Sequence, residues 1–149
     1  MKKVLSVSHH TKNVDIVLLV LRITIAALML THGLPKMESL LSGEPIQFAS
    51  VFGLSPAVSL GLTVFAEVFC SILILVGFGT RLASIPLIIT MGVAAFLVHA
   101  ADPFGKQELP ILYMIVYVVL LIAGSGRYSL DGLLANKPVF ERSIYGKTN

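Results

Sequence analysis

The chain has 149 residues, a one-domain length, and is 56% hydrophobic with only 13% charged residues at a mean hydropathy of +0.90. A soluble domain carries about 25% charged residues, so this composition excludes one, and its apolar content excludes disorder. The net charge is +3, but most Lys and Arg lie in the tails rather than on one face, which speaks against a nucleic-acid partner. The single cysteine, Cys70, excludes an internal disulfide, a CxxC redox pair and a thiolate zinc site.

The apolar stretches predict an all-α membrane protein, an antiparallel bundle of four transmembrane helices. A helix needs about 20 residues to cross a roughly 30 Å hydrocarbon core. Four segments approach that length: Ile16–Leu34, Ala57–Val76, Leu82–Ala101 and Gln107–Gly124. None alternates in polarity as a membrane strand would. They form a single domain over residues 14–135, with tails at 1–13 and 136–149. The first stretch is expected to be retained rather than cleaved as a signal peptide: a polar dozen residues precede it, Arg22 lies inside it, and Thr31-His32-Gly33 is a poor cleavage site.

Lys and Arg set the orientation. Nine lie in alternate segments with the two tails (Lys2, Lys3, Lys12, Arg22, Arg81, Arg127, Lys137, Arg142 and Lys147), and only Lys36 and Lys106 lie in the other loops. The positive-inside rule then places both termini in the cytoplasm. The first loop, Pro35 to Pro56, faces outward, and its apolar middle from Ile46 to Leu54 is expected to lie on or dip into the outer interface. Gly77-Phe78-Gly79 reads as a tight turn, and Leu130 to Ala135 as a short surface helix.

Polar groups inside these segments are the functional candidates, because an ionisable residue in a spanning helix is costly and by default faces the bundle interior. Counted at 1.5 Å per residue, Arg22 lies about 10 Å and Glu67 about 15 Å from the cytoplasmic side, close enough to predict a buried ion pair. His32 and His99 both fall about 25 Å from it, at one outer level. Helix two carries a polar seam, Ser59, Thr63, Glu67, Cys70 and Ser71, on one side. Glu108 opens the fourth helix, with Tyr113 near the level of the histidines. Lys36 and Arg81 read as interface anchors, Lys36 with a second option of meeting an anionic head group or ligand. The expected ligand-binding set is therefore His32, Glu67, His99, Glu108 and Tyr113. Two histidines and a carboxylate match one kind of iron site, but no spacing motif supports it, and no metal is expected.

In order and spacing the residues also resemble a known family. Arg22, Thr31-His32-Gly33-Leu34-Pro35-Lys36, Phe48, Phe52-Gly53-Leu54, Glu67, Gly77, Thr80-Arg81-Leu82-Ala83, Met91, Ala94, His99, Glu108 and Leu112-Tyr113 are similar to the DoxX family of small bacterial membrane proteins. The ending Gly126-Arg127-Tyr128-Ser129-Leu130-Asp131 fits it too. One departure stands out: family members often place glycines soon after the helix-two glutamate, where this chain has Phe69-Cys70-Ser71. The resemblance implies a four-helix protein of the bacterial inner membrane. The family takes its name from a subunit of an archaeal thiosulfate:quinone oxidoreductase, and in some bacteria is tied to quinone or oxidative-stress handling.

Three functions are compatible with these observations. The leading expectation is a redox-associated subunit that binds a quinone, or a similar lipophilic small molecule, in the outer half of the bundle. The second is a small transporter or proton-coupled permease using Glu67 and Arg22. The third is a non-catalytic lipid binder or assembly partner. The expected partners are the lipid bilayer, a lipophilic small molecule, and a redox partner protein or a second copy of the chain. Quinone is the candidate cofactor.

Overall fold

In a computed structural model, which describes residues 11–135, the chain is helical with no strand among the described residues. Four helices are long and apolar enough to cross a membrane: α1 (Thr11–Leu41), α2 (Pro56–Val76), α3 (Thr80–Val98) and α4 (Phe104–Ala123). A short α5 (Leu130–Ala135) follows. The basic residues of the outermost tails, Lys2, Lys3, Lys137, Arg142 and Lys147, lie outside the described residues.

Burial is inverted relative to a soluble bundle. Large apolar side chains such as Val17, Leu82 and Ile122 are exposed, while Arg22, Glu67, Ser71, Thr80 and Ser84 are buried among Ala26, Met29, Ile74, Leu87, Tyr117 and Leu120. In a bilayer the tails solvate apolar surface as well as a protein interior does, so the outward faces stay apolar and polar groups turn inward to find partners. The hydroxyls of Thr63 and Ser84 find theirs on the carbonyls of Ser59 and Thr80, one turn back on their own helices, at 2.9 and 2.8 Å.

The first helix corrects an expected boundary. The sequence ends helix one at Leu34, before Pro35, but α1 continues through the proline for a further turn and more, to Leu41. Proline removes one backbone donor from the ladder, and here it only interrupts a helix whose first six turns are already propagated. The consequence is positional. Lys36 does not sit in a loop; it lies one turn beyond His32 on the same helical face, with Gly33 between them. At 31 residues, α1 is about 46 Å long and outreaches the hydrocarbon core.

Two helices change pitch where they face the site. α2 contains a π-helical segment at Phe65–Cys70, and α3 ends in another at Ala94–Val98. A π turn is wider than an α turn, and within the first one Ala66, Glu67, Val68 and Cys70 are all buried. This segment includes Phe69 and Cys70, where the chain departs from the glycines usual in the family it resembles.

α1 and α2 approach closely at that level. A Cβ on Gly33 would stand 2.8 Å from Val68 Cγ2 and 3.0 Å from both the backbone carbon and Cβ of Glu67. Only glycine lets the two backbones meet there. At the opposite end Gly77, with φ of 74°, turns the chain from α2 into α3 and packs directly on the Arg22 guanidinium.

Candidate functional site

The pairing predicted between Arg22 and Glu67 is replaced by two separate arrangements. Glu67 receives Lys36, whose Nζ donates to Oε1 at 2.6 Å and to Oε2 at 2.7 Å. Arg22 donates from Nη1 to the Ile74 carbonyl at 3.1 Å and from Nη2 to the Tyr128 carbonyl. The reason is register. Gly33 packs on Glu67 and Arg22 packs on Gly77, so Arg22 meets α2 ten residues, or about 15 Å, from Glu67. Only the extension of α1 past Pro35 carries a cation to the level of the carboxylate.

The Glu67 side chain is 2% exposed and that of Lys36 33%. The carboxylate is therefore withdrawn into the bundle, while the ammonium spans from it toward the open side. An ammonium has three donors, and two of them serve the Glu67 oxygens.

Two cavities meet at this pair. The first, about 300 Å³, is bounded by α2, α3 and the first loop, with Phe48, Val51, Phe52 and Leu54 on its loop side and Thr63 and Val93 on its helices. The second, about 310 Å³, lies among α1, α3 and α4 and is lined by Met29, His32, Met91, Leu109, Pro110 and Tyr113. Lys36, Glu67, Ala94 and His99 line both. Mainly apolar walls with a few convergent polar groups characterise small-molecule sites.

His32, Glu67, His99 and Tyr113 are thus brought together around the second cavity. The His32 ring stands edge-on to Tyr113, with centroids 5.9 Å apart at 87°, and Tyr113 stacks on Tyr117 at 6.3 Å. Glu108 is not brought there. It is exposed and lines neither cavity. The α4 residues that face the second cavity are Gly105, Lys106, Leu109, Pro110 and Tyr113, and at 100° per residue Glu108 points roughly 130° away from their mean direction. Among the described residues no group of three or more His, Cys, Asp or Glu side chains is placed to hold a metal ion.

His99 sits just past the helix predicted to contain it, as the residue after the α3 π turn, with φ −100° and ψ 16°. Its Nδ1 lies 2.7 Å from Asp102 Oδ2, and Lys106 Nζ stands 3.6 Å from the same oxygen. The hydrogen bond from His99, reinforced by the charge of Lys106, holds the Asp102 carboxyl below the usual aspartate range. Gln107 ties the turn down, donating from Nε2 to the carbonyls of His99 at 2.8 Å and Asp102 at 3.2 Å. Asp102 and the pairing role of Lys36 escaped the sequence reading. The available signals were the spacing of Lys36 four residues after His32 and of Asp102 three residues after His99.

Four apolar helices, a polar interior and two cavities that meet at one ion pair define a small multi-pass membrane protein. The chain belongs to the DoxX family, whose profile matches residues 17–100. It is also similar to an uncharacterized protein of Haemophilus influenzae, 29% identical over 124 residues that cover 78% of this chain and 82% of that protein. No solved structure matches it.

Proposed function

We propose that this DoxX-family protein is a redox-associated component of the bacterial inner membrane that binds a quinone, or a similar lipophilic molecule, between its helices. One observation carries the reading: the Lys36–Glu67 pair and His99 form the common wall of two mainly apolar cavities of about 300 and 310 Å³. A quinone needs hydrogen-bond donors for its ring oxygens and apolar walls for its tail. Lys36, His32, Lys106 and the Tyr113 hydroxyl are donors that line the second cavity, and Met29, Met91 and Leu109 supply apolar wall. The quinone assignment itself draws on the family resemblance. The split of Lys and Arg between alternate segments supports cytoplasmic termini, which puts the cavities in the outer half of the bundle.

The test is binding of a partition-corrected quinone analogue to the protein in nanodiscs. His32→Ala and Tyr113→Phe are each expected to weaken binding about tenfold, the scale of one lost hydrogen bond to a polar head group. Unchanged binding in both variants rejects the site and favours a packing or partner-binding role.

A further inference from the structure

Resting on that reading, we infer that the second cavity selects rings that carry a hydroxyl, a hydroquinone or a phenol, over the corresponding quinone or ether, and that His99 is the group that selects. The determinant is the direction of one hydrogen bond. Asp102 is an ionised carboxylate, and a carboxylate only accepts. The 2.7 Å contact with His99 Nδ1 therefore requires the hydrogen to sit on Nδ1. In the neutral ring this leaves Nε2 with a bare lone pair. His99 lines the cavity, Nδ1 is occupied by Asp102, and Nε2 is the ring nitrogen left to meet an occupant.

An acceptor at that position discriminates by chemistry. A hydroquinone or phenol donates its O–H to Nε2, while Lys36 has a third N–H with which to donate to another oxygen of the same ring. A quinone carbonyl or an ether oxygen offers Nε2 only a second lone pair. Sites built to hydrogen-bond a hydroxyl reject analogues that lack it, by factors of about 10⁴ in fully enclosed pockets. His99 is about a third exposed, so solvent takes up part of the unmet bond and the expected discrimination is smaller, about tenfold. No electron transfer is implied: the selection acts on binding alone.

Asp102 is then a positioning residue. It stands outside the cavity linings and acts by fixing the tautomer of His99, within a turn that Gln107 holds in place. Asparagine at 102 can present either an oxygen or an NH₂ to Nδ1, so it retains the contact but releases the tautomer.

The experiment compares decylhydroquinone, decylquinone and the di-O-methyl ether of the hydroquinone on the full chain in nanodiscs under anaerobic conditions, each corrected against protein-free discs. The native protein is expected to bind the hydroquinone about tenfold tighter than the other two. Asp102→Asn is expected to cut that preference to about threefold or less, with ether affinity unchanged. His99→Phe is expected to abolish it. A role of Asp102 limited to folding would instead weaken all three probes together, which overturns the inference, as does equal binding of the three probes by the native protein. Saturable binding without discrimination leaves the proposed lipophile site standing; no saturable binding of any probe removes that site and this inference with it.

Discussion

Lys36 Nζ lies 2.6 and 2.7 Å from the two carboxylate oxygens of Glu67, a bridge between the extended end of α1 and the π turn of α2. Both cavities border it. Removing one member of a buried pair leaves the other charge uncompensated, which costs more than removing both.

Lys36→Met is therefore expected to destabilise the detergent-solubilised protein by about 3 kcal/mol, the lower end for a buried pair because Lys36 is partly solvated. Glu67→Gln should lose less, since a neutral amide suits the apolar interior better than a stranded carboxylate. The double variant should recover part of the loss. Denaturant titrations of the four proteins read the coupling directly, and strict additivity would mean that the two residues do not depend on each other.

Gly33→Ala is expected to cost about 1 to 3 kcal/mol through overpacking. The new methyl would meet Val68 Cγ2 at 2.8 Å and the Glu67 backbone carbon at 3.0 Å. Adding Val68→Ala should relieve only part of this, because the contact with Glu67 remains. Melting temperatures of the single and double variants check it. Lipophile binding should weaken in parallel, as the helix displaced is the one that carries Glu67.

Arg22→Lys should behave as a disruptive change. The planar guanidinium reaches two carbonyls at once, Ile74 on α2 and Tyr128 in the segment before α5, which a single ammonium point charge cannot reproduce. The expected outcome is faster amide exchange around Tyr128 and through Leu130–Ala135, measured by hydrogen–deuterium exchange, with little change near Glu67. Protection that stays intact would show that α5 is held by its other contacts, such as the Gly79 amide on Asp131 Oδ1 at 3.0 Å.

The Asp102 carboxyl has its folded value held down, first by the hydrogen bond from His99 and then by Lys106. A depressed carboxylate contributes stability that is present above its unfolded value, about 3.9, and is lost as pH falls through the lower folded value. The turn from His99 to Pro103 should thus be insensitive to Asp102 from neutral pH down to about 4 and loosen only below it. Carboxyl chemical shifts of Asp102 followed against pH check the direction. A midpoint above the ordinary aspartate value would contradict it.

Reporter fusions at Ala135 and at Gly43 should report opposite sides of the membrane, the first cytoplasmic, as expected from the nine-to-two distribution of Lys and Arg. A periplasmic signal at Ala135 would invert the placement of both cavities.

Composition and hydropathy by themselves determined that the chain is a bundle of four apolar helices. Stretches of about twenty residues with at most one charge have few ways to satisfy their backbone except as helices in lipid, and that constraint is local. The second segment shows it well: Ala57–Val76 was expected, and Pro56–Val76 is found. Spacing along each helix also marked Glu67 and Tyr113 as inward-facing candidates, and both are buried. Which charge meets Glu67 was not local. It depended on a helix running through Pro35, which a rule about single residues treats as a stop, and on the close approach at Gly33 that sets how α1 and α2 slide against each other. Those two facts moved Arg22 to the far end of α2 and brought Lys36 to Glu67. Asp102 was hidden for a similar reason: its importance lies in which nitrogen of His99 it holds, and a turn geometry fixed by Gln107 is decided only when α3 and α4 pack.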